Sequence, residues 1–442
     1  MKLILFIPLI SLFISCSNVQ QAAKQDEPFV TIKDGHFIQG DTAFYFVGTN
    51  YWYGPSLGLM NDTVRGLQRL RHELDFLKSH GITNLRICAA VEGEGTIQGV
   101  PRIFPVFQQS PGVFVADNLK GLDRLLDEMS RKEMKAVLFF SNNWEWSGGF
   151  LQYLYWNKAI DSTAFYTRLP WEQLRDVVSG FYSCKPCIQQ YEAQVKAILT
   201  RKNSVNGRKY IDDPTIFAWQ LANEPRPMRP AAIDAYKNWI AQTAKLIKSI
   251  DTNHLVTIGV EGYIGTENMD VYEAIHADSN IDYGTIHIWP RNWQWYKDLN
   301  DVNQQKKVLN MTKDYINDHM NVMKKIGKPL VLEEFGYPRD NSSFEPSSTT
   351  KIRDAFYALL FNELNQSQQN KGILAGCNFW AFGGEARPIP GQKFWKPGDD
   401  FMGDPPIEEQ GLYSVFDSDS STWKVIQAFI ETASVQQKDK LK

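Results

Sequence analysis

Two glutamates at the ends of two predicted β-strands are the residues of this chain best suited to chemistry. Glu224 follows the run Ile-Phe-Ala-Trp-Gln-Leu-Ala-Asn, and Glu334 follows Pro-Leu-Val-Leu-Glu. Apolar runs of this kind are typical of buried parallel strands. Because burying a charge is costly, a carboxylate where such a strand meets its loop serves a purpose other than packing. One acid and one base or nucleophile facing each other are what the hydrolysis of a glycosidic bond requires.

The elements that must position these glutamates alternate regularly along the chain. Helical patterns separate the apolar runs, at 63–79, 118–133, 187–201, 231–250, 303–325 and 350–368. Eight strands with intervening helices predict an α/β fold, a (β/α)8 TIM barrel. The predicted strands are 43–49, 82–89, 135–141, 215–222, 254–260, 283–288, 329–335 and 374–381.

Two further segments flank the predicted barrel. Residues 28–46 alternate around turn signals and predict a short N-terminal hairpin. Residues 382–417 follow the eighth strand and are irregular, with many Gly, Pro, Asp and Glu residues. A loop this long is usually functional, and it leaves the active-site face of a barrel. With no internal linker, residues 28–442 are predicted to form one catalytic domain.

The predicted strand ends also carry polar and aromatic side chains that suit substrate binding. Taken singly, an arginine could form a structural ion pair, a histidine could be a core residue and a tryptophan could be packing. Their occurrence together at matching strand ends favours a site, because catalytic residues of a barrel come from several strand ends. These residues are Arg86, Asn142, Asn143, Trp144, Asn223, His287, Trp289 and Trp380.

The composition agrees with a large enzyme that handles sugars. The chain has 442 residues, of which 43% are hydrophobic, and a net charge of −3 with interspersed signs and no long basic run. This balance gives no reason to expect a nucleic-acid partner. The 13 Trp, 18 Tyr and 26 Phe residues exceed ordinary usage, and flat aromatic faces suit sugar rings. The seven histidines are scattered, and we expect no metal and no organic cofactor.

The N-terminus has the pattern of an export signal. Lys2 precedes an apolar run at 3–14 that is too short to span a membrane. The run ends in Phe-Ile-Ser-Cys, which resembles a bacterial lipobox, and the resemblance implies that Cys16 is lipidated. Residues 1–16 would then be the signal and polar residues 17–27 a flexible tether, in a protein anchored in the bacterial cell envelope, in the periplasm or on the outer membrane surface. An ordinary secretion signal is the alternative.

The remaining cysteines suggest no catalytic role. Cys88 and Cys377 lie within predicted strands, where they would serve as small apolar residues. Cys184 and Cys187 form a Cys-Lys-Pro-Cys motif, which without a second pair is a weak zinc signal. A local disulfide and two free thiols both remain open.

Several motifs together resemble glycoside hydrolase family 5, within clan A. These are Asn-Glu-Pro after the fourth strand, Glu-Phe-Gly after the seventh and Arg86 in the second. Asn-Asn-Trp followed by Gly-Gly, Gln152 and Tyr153 resembles the mannan-cleaving branch of that family. Residues 211–227 and 399–406 resemble bacterial exo-acting β-mannosidases. The resemblance extends from about residue 28 to the end of the chain.

The resemblance implies a role for each matching residue. Glu224 would be the general acid/base and Glu334 the nucleophile, and Asn223 would hold the 2-hydroxyl of the sugar. Arg86 would bond to the nucleophile and keep it ionised. His287 would position the sugar and the acid/base.

Two tryptophans and a second glutamate complete this assignment. Trp380 would be the platform under the sugar at the cleavage point. Many family members have a tyrosine where this chain has Trp289, so the hydrogen bond from that phenol to the nucleophile is absent or supplied elsewhere. Glu333 competes with Glu334 as nucleophile, but strand alternation sends neighbours to opposite faces and Glu334 precedes Phe-Gly as the motif requires.

The sequence therefore predicts a retaining hydrolase of β-1,4-linked mannan or manno-oligosaccharides. Exo action requires one end of the cleft to be closed, and residues 382–417 could form that wall. An endo-acting β-1,4-mannanase is the first alternative. A barrel acting on β-glucan and a surface glycan-binding lipoprotein on an inactive barrel are two more possibilities.

Overall fold

Eight parallel strands surround the centre of the protein, as the alternating pattern of strands and helices predicts. A computed structural model describes residues 27–62 and 64–440, with side chains up to residue 432. The strands are β1 Val30–Lys33, β2 His36–Gln39, β3 Thr42–Ala43, β4 Phe46–Asn50, β5 Asn84–Cys88, β6 Thr96–Ile97, β7 Val100–Pro101, β8 Gln108–Ser110, β9 Val113–Phe114, β10 Lys135–Phe139, β11 Ile216–Gln220, β12 Leu255–Thr257, β13 Gly284–Ile288, β14 Leu330–Phe335, β15 Leu374–Phe379, β16 Phe382–Gly384 and β17 Val415–Phe416.

Helices cover the outside of the barrel strands. Six of them match the helical patterns of the sequence, and the others were not predicted, including three in the long connection between β10 and β11. The helices are α1 Gly54–Leu59, α2 Leu67–Ser79, α3 Lys120–Arg131, α4 Gly149–Trp156, α5 Ser162–Tyr166, α6 Trp171–Ser179, α7 Lys185–Leu199, α8 Ile233–Ile250, α9 Met269–His276, α10 Val302–Ile326, α11 Lys351–Gln369 and α12 Ser420–Lys440.

The barrel strands pair in the order β12-β11-β10-β5-β4-β15-β14-β13. Between β12 and β13 the ring is closed by isolated hydrogen bonds, from Asp282 N to Val256 O (2.8 Å) and from His287 N to Glu261 O (3.0 Å). Every residue of these eight strands is buried, because one face lines the barrel and the other lies under helices. The (β/α)8 prediction is confirmed.

A three-stranded antiparallel sheet, β1-β2-β3, covers the amino ends of the barrel strands. Its Phe37 packs edge-on against Phe217 and Tyr283, with ring centroids 5.1 and 5.3 Å apart. The sequence predicted a hairpin here, and the structure adds a third short strand. This apolar plug leaves the opposite end of the barrel, where the strands finish, free for chemistry.

The predicted signal at 1–16, with Cys16, lies outside the described residues, as do residues 17–26 of the predicted tether. Glu27 is the first described residue, and its carboxylate accepts a bond from Lys135 Nζ (2.7 Å) at the start of β10. The chain therefore enters the barrel from its amino-terminal end. Within the described part of the chain, no helix has the length and apolarity needed to cross a bilayer.

The four cysteines of the described chain have distinct surroundings. Cys88 and Cys377 are buried free thiols within β5 and β15, as expected for small apolar residues. Cys184 and Cys187 are joined in a disulfide, with Cα atoms 5.2 Å apart, at the start of α7. The sequence left open a local disulfide and two free thiols, and the structure favours the disulfide.

The 382–417 loop is an ordered structure with its own small core. Its two ends pair as β16 and β17, which form a stem beside the barrel. Trp395 stacks on Phe401 with centroids 5.0 Å apart, and Phe401 also contacts Trp52 of the barrel at 5.3 Å. The loop is therefore held against the active-site face and does not extend into solvent.

Candidate active site

Glu224 and Glu334 come together at the carboxyl ends of the barrel strands. One oxygen of each carboxylate and one nitrogen of His287 lie within 4.8 Å of one another. Glu334 belongs to β14, whereas Glu224 follows β11 in the left-handed region (φ 49°), with its N–H bonded to Gly259 O at 2.9 Å. Only 7% of Glu224 and 2% of Glu334 is exposed. Carboxylates this close fit a retaining glycosidase, whose pair lies ~5–5.5 Å apart, better than an inverting one, whose pair lies ~6.5–9.5 Å apart.

Arg86 lies fully buried beside Glu334 and organises the surrounding side chains. Its Nη1 donates to Glu334 Oε1 in a short ion pair and to Asn50 Oδ1 at 3.0 Å. Its Nη2 donates to Asn223 Oδ1 (2.7 Å) and its Nε to Gln220 Oε1 (2.8 Å). One planar guanidinium thus fixes four residues from three strand ends, which a flexible lysine could not do.

Glu333 also turns into the barrel, so the expectation from strand alternation is wrong. The pairing of β13 with β14 shifts register between Ile286 and His287, and the shift places Glu333 and Glu334 on the same side. Glu333 accepts a bond from Gln220 Nε2 (2.6 Å) and is fully buried. Its carboxylate therefore lies within the barrel interior and is engaged by protein groups.

His287 lies between the two candidate catalytic carboxylates. Its Nδ1 is 2.7 Å from Glu224 Oε1 and 3.3 Å from Glu334 Oε2, and its Nε2 is 3.6 Å from Glu333 Oε2. Although burial favours the neutral imidazole, the charge of Glu334 and hydrogen bonds to the other two glutamates raise the pKa of His287 to about 10. His287 therefore shares a proton with the carboxylates that surround it.

The two carboxylates have opposite pKa shifts. Burial raises the pKa of Glu334 to about 7, against the opposing charges of His287 and Arg86. For Glu224 burial is outweighed by the hydrogen bond and charge of His287, helped by Arg226 and Trp144, which lower the pKa to about 2. In the free site these directions are the reverse of those that a protonated acid Glu224 and an ionised nucleophile Glu334 require. The proton for Glu224 must therefore come from a neighbouring group, and His287 is bonded to it.

Tryptophans bond to both carboxylates. Trp289 Nε1 donates to Glu334 Oε2 at 3.2 Å, so the indole supplies the bond that a tyrosine makes in many relatives. Trp144 Nε1 donates to Glu224 Oε2 at 2.5 Å. Trp380 lies edge-on to Trp289, with centroids 5.7 Å apart, and is 4% exposed. All three tryptophans named by the sequence thus lie at the site.

The predicted asparagines join the β10 and β11 ends. Asn142 Oδ1 accepts bonds from Asn223 Nδ2 (3.1 Å) and Trp144 N (3.0 Å), which fixes that loop. The buried side-chain amide of Asn143 has no hydrogen-bond partner among the described residues. Unpaired buried polar groups are rare in proteins, and at a cleft they indicate a place for ligand hydroxyls.

The ligand atoms of Glu224, His287 and Glu334 are close enough to surround a cation. The guanidinium of Arg86 already contacts one of these carboxylates and supplies positive charge there. The donor set is therefore accounted for by a hydrogen-bonded acid/base network, and we assign it no metal role.

Sequence reasoning missed several residues of this network. Asn50 and Gln220 fix Arg86, and Glu261 forms a two-bond ion pair with Arg226 at 2.5 and 2.6 Å. Asn50 ends β4 and Glu261 closely follows β12, so the strand-end rule used for the other residues would have found both.

Glu408, from the 382–417 loop, is the least expected residue near the site. Burial raises the pKa of Glu408 well above the usual value, and the negative charges of Asp404, Glu334 and Glu224 add to this effect. A third carboxyl group, with a raised pKa, is thus within electrostatic reach of Glu334 and Glu224. No sequence signal distinguishes it from the neighbouring Glu409.

Comparisons with known proteins agree with this geometry. The chain is 32% identical over 368 residues to "Mannan endo-1,4-beta-mannosidase 1" of Arabidopsis thaliana, covering 80% of this chain and 81% of that protein. It is 29% identical over 390 residues to the protein of the same name from Oryza sativa subsp. japonica, covering 84% and 81%.

Solved structures give the same result. A glycoside hydrolase family 5 mannosidase from Rhizomucor miehei superposes with a TM-score of 0.83 at 30% identity, covering 93% of this chain and 99% of that one. An endo-1,4-β-mannanase from the same organism shares the fold, with a TM-score of 0.66 at 23% identity, covering 92% and 99%. The family described as "GH family 5 beta-mannosidase-like" matches residues 27–439. This chain belongs to the β-mannosidase-like family of glycoside hydrolase family 5.

Proposed function

We propose that this protein is a retaining, exo-acting β-mannosidase that removes mannose from the ends of β-1,4-linked manno-oligosaccharides. One observation carries the hydrolytic part of the proposal. Two buried carboxylates lie within 4.8 Å of each other, one contacted by Arg86 and the other by His287. Such closeness supports a retaining mechanism, in which one carboxylate attacks the sugar directly.

Glu334 is the nucleophile of the proposed reaction. Its oxygen forms a bond to the anomeric carbon while Glu224 gives a proton to the departing glycosidic oxygen. A water molecule, deprotonated by Glu224, then attacks the same carbon and releases the sugar from Glu334. Arg86 and the indole of Trp289 stabilise the ionised carboxylate before the attack and after its release.

The hydrogen bond between His287 and Glu224 holds the proton that the leaving group needs. Glu224 raises the pKa of His287 and His287 lowers the pKa of Glu224, so the two side chains share one proton across their hydrogen bond. Transfer across the 2.7 Å contact delivers it to Glu224 with no change in the total charge of the site. His287 thus supplies a proton and orients the acid at the same time.

Mannose is the sugar that the comparisons support. The matching curated proteins are named as mannan endo-1,4-β-mannosidases and the well-superposed solved structure as a mannosidase. Asn223 and the unpaired amide of Asn143 offer hydrogen-bonding groups to sugar hydroxyls beside the carboxylates. Trp144 and Trp380 provide the aromatic surface on which a sugar ring can stack.

The 382–417 loop supports exo over endo action. It leaves the barrel directly after Trp380 and returns Glu408 to the electrostatic neighbourhood of both catalytic carboxylates. A neutral carboxyl group can donate a hydrogen bond to one sugar hydroxyl and accept one from another. In an endo-acting enzyme the next sugar of the chain would have to occupy the space that this loop takes.

Product analysis on mannohexaose tests the exo proposal. We expect mannose and mannopentaose as the first products, with shorter oligosaccharides appearing only later. Replacing residues 386–413 by a flexible Gly/Ser linker, long enough to connect the parallel strands β16 and β17, should shift the first products toward internal cuts. Mixed oligosaccharides at the earliest time points from the intact enzyme would establish the endo-acting alternative, which the names of the curated relatives favour.

Substrate tests distinguish this hydrolase from a glycan-binding protein and from a β-glucan-cleaving enzyme. Activity on an aryl β-mannoside distinguishes an enzyme from a glycan-binding protein on an inactive barrel. A comparison of manno-oligosaccharides with β-gluco-oligosaccharides of equal length tests for action on β-glucan. We expect turnover of the mannosides and little of the glucosides.

We also propose that Cys16 carries a lipid that anchors the protein in the bacterial cell envelope. The support is the apolar run at 3–14 that ends in Phe-Ile-Ser-Cys. Because Glu27 is bound at Lys135, at the amino-terminal end of the barrel, such an anchor would leave the active site facing away from the membrane. Cys16→Ala should remove the lipid and release the protein from membrane fractions, and continued attachment would contradict the proposal.

A further inference from the structure

One turn of helix α2 is bonded to both arms of the 382–417 loop. Glu73 Oε1 accepts a bond from Glu385 N (3.0 Å), just after the loop leaves its stem. Arg69 Nη2 donates to Phe401 O (2.8 Å), on the returning arm. Arg69 and Glu73 also bond to each other at 2.8 Å. We call these two residues the α2 anchor.

The α2 anchor is buried and has other polar partners. The side chains of Arg69 and Glu73 are 4% and 0% exposed. Glu73 Oε2 accepts bonds from Tyr51 OH (2.5 Å) and Tyr53 OH (3.2 Å), which follow β4. The anchor is therefore fixed to the barrel on one side and to the loop on the other. A displacement of the loop would leave buried charged groups without partners, which is costly.

The first arm of the loop is shaped to meet this anchor. Gly384 has a φ of +58°, and a Cβ at this position would collide with the carboxylate of Glu73. Glycine is the residue that permits both this backbone conformation and such a close approach. The contact with Glu73 thus depends on the backbone of the loop and not on a loop side chain.

The second arm connects the α2 anchor to Glu408. Three residues after Phe401, the carboxylate of Asp404 accepts bonds from Gly411 N (2.8 Å) and Tyr413 N (3.0 Å). These bonds, with that from Gln410 Nε2 to Asp404 O (2.9 Å), make the turn that carries Glu408 an internally bonded unit. The position of this bonded turn relative to the active site therefore depends on the points where the returning arm of the loop is attached, which include Phe401.

We propose that Arg69 and Glu73 are positioning residues that determine substrate selection by holding the 382–417 loop, and with it Glu408, against the active site. This inference rests on the proposed exo function. Buried ion pairs contribute little net stability compared with apolar residues of similar size. Here the ion pair acts on the position of the loop, because Arg69 bonds to one arm, Glu73 bonds to the other, and the two residues bond to each other.

The double variant Arg69→Met/Glu73→Gln tests the proposal. Methionine removes the bond to Phe401. Glutamine can keep its oxygen as the acceptor for Glu385 N while its NH2 donates to the tyrosine hydroxyls, so no charge is left buried alone. With mannohexaose labelled at its reducing end, the wild type should produce labelled mannopentaose first. The variant should produce labelled tetraose and triose from the first time points, and its KM for mannobiose should rise about tenfold with a smaller change in kcat.

Asp123 and Arg201 provide a matched control on another part of the protein. They form an ion pair of 2.6 Å whose side chains are 0% and 11% exposed, and Asp123 also bonds to Tyr210. Arg201→Met/Asp123→Asn should lower Tm without changing the product pattern. If only the Arg69/Glu73 variant changes the product pattern, the change results from displacement of the loop and not from a general loss of stability.

The outcomes distinguish failure of this inference from failure of the exo proposal. If the wild type releases mannose first and the double variant does the same with an unchanged KM, the inference is overturned and the exo function stands. If the wild type itself yields mixed products, the exo proposal fails. Should the double variant not fold, Arg69→Lys keeps a cation beside Glu73, and its single ammonium should give an intermediate product pattern. An unchanged pattern in Arg69→Lys would then overturn the inference.

Discussion

The catalytic cluster and the 382–417 loop are both ordered, but they are held in different ways. Arg86, Glu224, His287 and Glu334 come from strand ends and bond mainly to one another. The loop is irregular, and its position depends on a short stem, on contacts with α2 and on the bond from Trp52 Nε1 to Gly403 O. Under the proposed function the strand ends determine the chemistry, whereas the attachments of the loop determine which part of a glycan reaches it.

This difference predicts two kinds of mutational effect. Changes in the cluster should lower kcat for every substrate, because the cluster touches the reacting atoms. Changes in the loop should alter KM and the product pattern, because under the proposed function the loop meets the sugar chain away from the bond that is cleaved. Substitutions on each side of this division test whether the two regions are functionally separate.

The largest effect is expected for Glu334→Gln. A neutral amide cannot form the glycosyl-enzyme, so kcat on an aryl β-mannoside should fall by about 10⁴-fold or more. Tm and circular dichroism should show an intact fold. Glu333→Gln is the matched control and should lose much less activity. If Glu333→Gln were the inactive variant, the nucleophile would have to be reassigned.

Glu224→Ala should have the next largest effect, and its size should depend on the leaving group. Natural mannobiose should lose about 10²- to 10⁴-fold in kcat, whereas an activated aryl mannoside needs little protonation and should lose less. Azide should partly restore turnover of the activated substrate, since it replaces the water that Glu224 deprotonates. Equal losses on both substrates without rescue would contradict the acid/base role.

Glu408→Ala tests the loop side of the comparison. Loss of this carboxyl group should raise the KM for mannobiose by about tenfold and allow internal cuts in mannohexaose, with a smaller change in kcat. Glu409→Ala is the adjacent control, since Glu409 pairs instead with Lys393 and Arg291. A kcat loss as large as that of Glu224→Ala would place Glu408 in the chemistry and show that the two regions are not separate.

Trp289→Phe should produce the smallest change, a shift in pH dependence. The pKa of Glu334, raised by burial to about 7, sets the acid limb of kcat/KM, because the nucleophile must be ionised. The indole N–H stabilises the ionised form, so its removal raises this pKa further and moves the acid limb up by about 0.5–1 pH unit. Trp293→Phe, at a tryptophan that packs on Trp295 and Tyr315, should leave the limb in place. A downward shift in Trp289→Phe would contradict the assignment.

Much of the fold and of the candidate site follows from local sequence patterns. All eight barrel strands are found where apolar runs predict them, because a strand covered on both faces must be apolar throughout. Parallel strands end at one edge, so Arg86, Glu224, His287 and Glu334 had to meet there once the barrel was predicted. The sequence motifs around Asn223 and Trp144 also predicted a site at the carboxyl ends of the barrel strands.

Other features depend on contacts that no local pattern records. The inward turn of Glu333 results from a register shift between β13 and β14, and periodicity alone predicts the opposite. The bond from Trp289 to Glu334 depends on how an indole packs beside Trp380. Three of the four helices between β10 and β11, α4, α5 and α6, were missed because each is too short to show a clear helical period.

By itself, the sequence determined the barrel and its candidate catalytic residues, because strand periodicity and strand ends are local properties of the chain. Only the tertiary structure decided which of two adjacent acidic residues, Glu408 or Glu409, comes within electrostatic reach of Glu224 and Glu334. The path of an irregular loop is set by its partners, and here several lie far away in the chain, among them Trp52 and the α2 residues Arg69 and Glu73. Such distant partners cannot be read from a local pattern.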